Sequence, residues 1–418
     1  MTDPIRETLQ APERPVEPDV AFADELFERL REEMGHRARP LVLPRRRRIP
    51  NPSLRRVLLA AAVLIVTFAI LAAILWPLRD RLVDRSKPAH DVPAVVNGRL
   101  VASRAGQIVS MEADGSGEIL LTDTGRDYSP AWSPDGRRIA FIRSSGRGSA
   151  IWIMDADGSD QIQVSDQGTM VQPPIWSPTG AFIAYSDLSS DAETGAIWRV
   201  TPDGQERVRV TTYADGNFLR DWSPDGAKLA FESDRDGDVD IWVMNADGSA
   251  PTNLTQNSVS DWGPAFSPDG TRIAFYRGFG RPKHGGWSRT AIWTMNADGS
   301  DPVRLTDGSR FDIHPRWSPD GRWIAFRADM MSKGAGVAVV RLYRMAPDGS
   351  DLRGLTDRET QALEFEWSPD STTLVFVDDD YRGIAVVGAD GTGFRTVATD
   401  PTVIGIPDWQ AASERPAG

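Results

Sequence analysis

The chain has 418 residues, a formal net charge of −12 and no cysteine. The acidic charge repels nucleic-acid phosphates and anionic lipid surfaces on average, so no nucleic-acid partner is expected. The absence of cysteine excludes disulfides, thiolate nucleophiles and zinc–thiolate sites. Residues 1–56 hold 12 Arg against 10 acidic residues, so the excess of acidic charge lies entirely in the remainder. This asymmetry predicts two parts in different environments.

The first part, residues 1–56, is rich in proline and charge and is predicted to be a largely disordered cytosolic tail. Within it, residues 19–35 read DVAFADELFERLREEMG, with Phe22, Leu26 and Leu30 at helical spacing. This spacing predicts a short amphipathic helix. Two roles stay open for it: docking to a cytosolic partner, or a solvated helix beside the membrane.

Residues 57–76 form an uninterrupted apolar segment of twenty residues without a charge. A helix of that length spans about 30 Å, the thickness of a bilayer core, which predicts one transmembrane helix. Six arginines precede the segment and four basic residues follow it, so the N-terminus is predicted to be cytoplasmic. The acidic remainder then lies in the periplasm or outside the cell, after a linker at residues 77–96.

The rest of the chain is built from an internal repeat of 44 to 51 residues. Each repeat contains a segment such as PAWSPDG, then an apolar triplet such as IAF, then a segment such as IWIMDADG, and a short closing segment such as LTDG. The segments are short, rich in β-branched and aromatic residues, and separated by turn residues, which predicts four strands per repeat. This period is typical of a β-propeller blade.

Six complete repeats and two terminal fragments predict an all-β, seven-bladed β-propeller over residues 97–410. The fragment at 98–123 lacks a first strand, and the fragment at 403–410 supplies one. We therefore expect the strand around Trp409 to pair with the strand at Leu100 and to close the ring, which removes exposed sheet edges. Residues 411–418 are predicted to be a disordered C-terminal tail.

The repeated WSPDG, IAF and IWxMxADG segments over residues 97–410 resemble the PD40, WD40-like repeats of the TolB family. The resemblance implies a periplasmic propeller that binds the peptidoglycan-associated lipoprotein and other envelope partners. It also implies a six-bladed ring behind a small α/β domain, which keeps six blades as the alternative count. The sequence departs from this pattern in its membrane anchor, its seven predicted blades and the lack of room for the α/β domain.

Two groups of aspartates invite a chemical role. Asp135 in WSPDG recurs at the same place in the repeats, with Thr179 as its counterpart in one of them, so a turn residue is expected there rather than a catalytic group. Asp234, Asp236, Asp238 and Asp240 alternate as in a calcium loop, but Asn245 stands where an EF-hand requires glutamate. A polar hairpin tip is the default expectation, and weak cation binding near Asp234 stays open.

Partner binding is expected on the face formed by the connections between second and third strands, because that face varies between repeats. Two of those connections are long and carry large or cationic side chains suited to recognition, namely Arg281, Lys283, His284, Trp287, Met330 and Met331. The predicted partner is an envelope protein or a cell-wall component.

The sequence contains no serine elbow followed by a catalytic histidine, the pattern required for the hydrolase domains attached to similar propellers. The alternative is a propeller enzyme, a glycan lyase, glycan hydrolase or peptidase relative, that uses residues lining the channel: Asp221, His314, Arg316, Glu364 and Glu366. The favoured function is a non-enzymatic, membrane-anchored interaction or ligand-sensing propeller, with no catalytic, metal or cofactor site.

Overall fold

The computed structural model describes residues 98–168, 170–188, 195–212, 216–279, 289–331, 338–356, 364–378, 383–399 and 405–411. The predicted tail with its helix, the span 57–76, the linker and the tail beyond residue 411 lie outside the described residues. Within the described ranges, no helix is long and apolar enough to cross a membrane. All helices and strands assigned there are β-strands, so the all-β prediction is confirmed.

The described strands group into six hydrogen-bonded sheets, and we number them as units 1 to 7 by the repeat they contain. The strands of units 4 and 5 share one eight-stranded sheet. Unit 7 combines both ends of the described region: β1 (Leu100–Arg104), β2 (Gln107–Met111), β3 (Ile119–Leu120) and β29 (Asp408–Trp409). Unit 1 contains β4 (Asp127–Trp132), β5 (Arg138–Ser145), β6 (Gly148–Asp155) and β7 (Ile162–Gln163). Unit 2 has its first strand in two pieces and contains β8 (Met170–Val171), β9 (Ile175–Trp176), β10 (Ile183–Leu188), β11 (Gly195–Val200) and β12 (Arg207–Arg209).

The remaining four units follow the same order. Unit 3 contains β13 (Asn217–Trp222), β14 (Lys228–Ser233), β15 (Asp240–Asn245) and β16 (Thr252–Asn253). Unit 4 contains β17 (Asp261–Phe266), β18 (Arg272–Phe279), β19 (Arg289–Asn296) and β20 (Val303–Arg304), and unit 5 contains β21 (Phe311–Trp317), β22 (Ile324–Met331), β23 (Ala338–Met345) and β24 (Arg353–Gly354). Unit 6 contains β25 (Phe365–Trp367), β26 (Thr373–Asp378), β27 (Gly383–Gly388) and β28 (Arg395–Thr399).

The two ends of the described region pair with each other. In β29, Trp409 lies opposite Leu100 and Asp408 lies opposite Val101 of β1. The backbone N–H of Gln410 donates to the carbonyl of Arg99 at 2.8 Å, and the Gln410 side chain accepts from the Arg99 N–H at 3.1 Å. The predicted pairing of the Trp409 strand with the Leu100 strand is therefore confirmed.

The hydrophobic core is distributed between the units. Each of seven buried clusters draws its side chains from two consecutive units, including a cluster between units 6 and 7 and another between units 7 and 1. Phenylalanines of the apolar triplets are fully buried in these clusters, namely Phe141, Phe231, Phe275, Phe326 and Phe376. Since no unit buries both faces by itself, each unit depends on its neighbours for stability.

The Ser-Pro-Asp-Gly segments form the turns between first and second strands, as predicted. The Asp135 carboxylate accepts hydrogen bonds from the Ser133 hydroxyl at 2.6 Å and from the Arg137 N–H at 3.1 Å, both within its own turn. The glycine that follows, Gly136, has φ 66°, and in unit 6 Ser371 takes that place with φ 61°. These bonds use the aspartate for turn formation.

The aspartates of the suspected cation loop lie in the β14–β15 hairpin, where donors of the protein engage three of them. Asp234 accepts from the Gly216 N–H at 3.0 Å and Asp236 accepts from the Asn253 side chain at 3.2 Å, while Asp240 accepts from the side chains of Asn253 and Thr255. Across the residues that the structure describes, no group of three His, Asp or Glu side chains is placed to hold a metal ion.

Candidate functional site

The first strands of the units lie beside one another around a common interior. β13 contacts β17, β17 contacts β21, β21 contacts β25, and the series continues through β29 to β4 and β9. The residue directly before the first-strand aromatic occupies an equivalent place in each unit, and we call it the ring position. From unit 1 to unit 7 it holds Ala131, Ile175, Asp221, Ala265, Arg316, Glu366 and Asp408.

The four charged residues at the ring position, Asp221, Arg316, Glu366 and Asp408, are called the ring cluster here. Asp221 accepts from the N–H of Trp222 at 2.8 Å and from the N–H of Phe266 in the next unit at 2.7 Å. Asp408 repeats this arrangement, accepting from Trp409 at 2.8 Å and from Trp132 of unit 1 at 2.6 Å. Each aspartate thus connects two consecutive units through backbone N–H groups.

Burial and neighbouring charge set the ionisation of the ring cluster. Burial raises the pKa of Asp221 to about 6. Burial and the nearby Glu366 carboxylate raise the pKa of Asp408 to about 7. The charge of Glu366, whose Oε2 lies 3.6 Å from Nε of Arg316, raises the pKa of that guanidinium. One permanent cation therefore faces three carboxyl groups, two of which titrate near neutral pH.

A second group of polar side chains lies on or next to the first and second strands of units 3 to 6, and units 3, 4 and 5 have β-bulges there. We call Arg220, Glu232, Tyr276, His314, Arg327 and Glu364 the bulge cluster. The strand pairing shifts register at Arg220 and again between Ile313 and Arg316. His314 adopts a left-handed backbone with φ 52°, where the corresponding bulge of unit 4 has Gly263 with φ 63°. A left-handed conformation costs a non-glycine residue about 1–2 kcal/mol, so this histidine is held in place at a cost.

Arg220 and Glu232 form a bidentate ion pair in the bulge cluster. Nε and Nη2 of Arg220 donate to the two carboxylate oxygens at 2.8 and 2.7 Å. Glu232 is buried and also accepts from the N–H of Gly263 at 2.6 Å, which links unit 3 to unit 4. The Arg220 side chain nevertheless keeps 40% of its surface exposed.

Aromatic rings line the neighbouring part of the bulge cluster. Trp262 stacks on Tyr276 with centroids 5.5 Å apart, and Tyr276 contacts the imidazole of His314 at 5.8 Å. Burial and three nearby arginines lower the pKa of His314 well below its usual value, so its imidazole is neutral. Burial raises the pKa of Tyr276, which keeps its phenol protonated and able to donate.

Comparison with known proteins adds a family resemblance to this geometry. Residues 137–286 match the family model described as the TolB beta propeller domain, PD40. The chain carries a TolB-like propeller domain. One curated relative, the Tol-Pal system protein TolB of Rhizorhabdus wittichii, is 49% identical over 47 residues, which is 11% of each chain. The match spans about a tenth of the length of the curated relatives.

Two solved structures are similar to this chain to different extents. TolB from Acinetobacter baumannii is 18% identical, with a TM-score of 0.49 over 75% of this chain and 82% of that one. An oligogalacturonate lyase from Vibrio parahaemolyticus is 14% identical, with a TM-score of 0.53 over 75% of this chain and 88% of that one. At this identity the likeness to the lyase concerns the fold alone.

The TolB-like domain brings the five predicted channel residues together. The charges of Asp221, Glu364 and Glu366 act on Arg316, and Arg316 acts on His314. Sequence reasoning missed Asp408, although it precedes Trp409 as Asp221 precedes Trp222. It also missed Arg220. Three further residues were missed, although each directly follows the apolar triplet of its repeat, which could have identified them: Glu232, Tyr276 and Arg327.

The residues predicted for partner binding are less completely described. Arg281, Lys283, His284 and Trp287 lie outside the described residues, in the segment that connects β18 to β19. Met330 and Met331 lie in β22, paired with Val339 and Ala338 of β23 rather than in a connecting loop. Their assignment to a loop was therefore wrong, because the hairpin of unit 5 continues its pairing past the expected strand end.

Proposed function

We propose that this chain is a membrane-anchored, non-enzymatic interaction protein whose TolB-like propeller lies in the periplasm or outside the cell and binds an envelope protein or cell-wall component. One observation carries the proposal. The β18–β19 hairpin of unit 4 stays paired as far as Phe279 and Arg289, and nine further residues connect its strands. A long connection on a rigid hairpin is a common position for recognition residues.

The same proposal includes seven blades and one closed ring. Support comes from the cyclic order of the hydrophobic clusters, in which unit 7 packs against both unit 6 and unit 1. The β1–β29 pairing supports closure by the two ends of the domain. The segment 57–76 would hold this ring at the membrane, with residues 1–56 on the cytoplasmic side.

Hydrogen bonding in the ring cluster favours binding over catalysis. Both oxygens of Asp221 and both oxygens of Asp408 accept backbone N–H groups. A carboxyl group that donates or accepts protons for a substrate requires an oxygen within reach of that substrate. These aspartates instead support the joints between units.

The test is capture of envelope proteins by the full-length chain in detergent, with residues 280–288 replaced by a Gly-Ser segment of equal length. We expect the variant to lose a partner that the wild type retains. A replacement of Gly146 and Arg147, in the short turn between β5 and β6, is the matched control and should retain the partner. Retention by the 280–288 variant would show that the partner binds elsewhere.

A propeller enzyme acting on glycans or peptides is the second candidate, favoured by Glu364, whose pKa is raised by burial and whose carboxyl group has no hydrogen-bond partner in the described structure. A carboxyl group with a raised pKa in a polar interior is a candidate for general acid–base work. Release of new reducing ends or new amino termini from envelope extracts, lost in Glu364→Gln, would establish it.

A further inference from the structure

The ring cluster and the bulge cluster together leave more hydrogen-bond donors than acceptors without a partner among the described residues. The Arg316 side chain is 37% exposed, and the Glu366 carboxylate oxygen paired with it is 3.6 Å away, beyond hydrogen-bond distance. Within the described residues, its guanidinium donates no hydrogen bond to the protein. A guanidinium has five N–H donors, so Arg316 alone leaves a planar set of donors for another molecule.

Neighbouring groups add to this capacity. Arg220 uses two of its donors on Glu232 and remains 40% exposed. Among the described residues, the Tyr276 hydroxyl and the His314 imidazole make ring contacts but no hydrogen bonds. The free acceptor is Glu364, whose carboxyl group has no hydrogen-bond partner in the described structure and is near Arg220, Arg316 and Arg327.

The charge of the site limits the kind of ligand it accepts. Arg220, Arg316 and Arg327 are three cations, whereas five carboxyl groups belong to the ring and bulge clusters: Asp221, Glu232, Glu364, Glu366 and Asp408. His314 is neutral and adds no positive charge. A phosphate, sulfate or uronate would therefore meet a site without a net positive charge, despite its donors. A simple metal ion does not fit the described side chains either, since no three His, Asp or Glu residues among them are grouped.

A saccharide hydroxyl both accepts and donates hydrogen bonds, so adjacent hydroxyls can accept from Arg316 and donate to Glu364 at once. The Trp262 and Tyr276 rings next to these groups provide apolar surface for the C–H groups of a sugar ring. We propose that the interior of the propeller, between the ring and bulge clusters, is a binding site for a neutral saccharide. This proposal does not depend on the partner proposed for the 280–288 segment.

The experiment is saturation-transfer NMR and titration calorimetry on the full-length chain in a detergent without sugar head groups. The probes are chitotriose and cellotriose as neutral saccharides and trigalacturonate as an anionic one. We expect saturation transfer from at least one neutral trisaccharide and binding at least tenfold weaker for trigalacturonate. Failure of both neutral probes at millimolar concentration, or equal binding of the anionic probe, would overturn the proposal.

The variants are Arg316→Gln and Glu364→Gln, each expected to weaken saccharide binding at least tenfold. Arg322→Gln is the matched control, because Arg322 lies six residues further on, is 78% exposed and pairs with Asp320 of the turn. The Glu364→Gln variant keeps the shape of the side chain, so it tests the site even if Arg316→Gln does not fold. Wild-type affinity in a folded Arg316→Gln or Glu364→Gln variant would contradict the assignment.

Discussion

At the residue scale, the position of a side chain within the repeat decides its role. Asp135 and Asp221 both lie near a first-strand tryptophan, yet their carboxylates act differently. Asp135 accepts hydrogen bonds within its own turn, whereas Asp221 accepts from the N–H of Phe266 in the next unit. The first role was predictable because a turn is local in sequence. The second was not, because the donor lies 45 residues away.

His314 provides a test of strain at the bulge. We expect His314→Gly to be more stable than His314→Ala by about 1 kcal/mol, since both lose the imidazole but only alanine must hold a side chain at φ 52°. The greater unfolded-chain entropy of glycine reduces part of this difference. Denaturant unfolding of both variants measures it, and Ser129, also at φ 52°, should give the same sign in its own pair. An alanine variant as stable as the glycine variant would show that the bulge relaxes.

At the element scale, the two-residue strand β29 has a larger role than its length suggests. It places Trp409, which is 5% exposed, in the cluster between units 6 and 7 and supplies the Asp408 bond to unit 1. The short strand therefore completes packing on both of its sides. Its existence was predictable from the missing first strand of the opening fragment, but its hydrogen bond to Trp132 required the folded domain.

Removal of residues 405–418 should lower stability by several kcal/mol, because burial of a large aromatic side chain alone contributes about 3–5 kcal/mol. The lost β1 edge pairing adds to this effect. Thermal unfolding monitored by tryptophan fluorescence measures the change. Removal of residues 412–418 is the control and should leave the midpoint unchanged. Equal midpoints for both truncations would mean that β29 does not close the domain.

At the scale of the whole molecule, two kinds of hydrogen bond join consecutive units near the interior. At four joints, the first-strand tryptophan donates its indole N–H to the preceding ring-position carbonyl, as in Trp176 to Ala131 at 3.0 Å. Unit 4 has Phe266 instead, and the indole nitrogen of Trp132 has no partner in the described structure. At these two joints the carboxylates of Asp221 and Asp408 provide the bond to the next unit.

These carboxylates predict a pH dependence of stability. Since the folded-state pKa of Asp408 is raised to about 7, its contribution to stability is present at low pH and is lost as the pH rises through 7. Asp221, with a pKa of about 6, acts in the same direction. The positive charge of Arg316 lowers the pKa of both aspartates, whereas the negative charge of Glu366 raises both. The free energy of unfolding should therefore fall between pH 5 and pH 8.

Asp408→Asn should flatten this dependence, as measured by urea unfolding at several pH values. Asp135→Asn is the control. Burial raises the pKa of Asp135, but hydrogen bonds within its turn lower it further, so the net pKa is lowered. The titration of Asp135 therefore affects stability only at acidic pH. An unchanged slope in Asp408→Asn would indicate that other groups dominate the pH range.

The sequence by itself determined the strand content, the turns and the closing pair of strands, because each depends on residues that are adjacent or repeated along the chain. The sequence also named Asp221, His314, Arg316, Glu364 and Glu366 as candidate channel residues, and that role stays a prediction. Only the tertiary structure decided their partners. Asp408 and Glu232 act on residues of other units, and those distances arise from the packing of one unit on the next. The roles of single side chains in the interior therefore depend on how consecutive units pack together, which no local pattern in the sequence records.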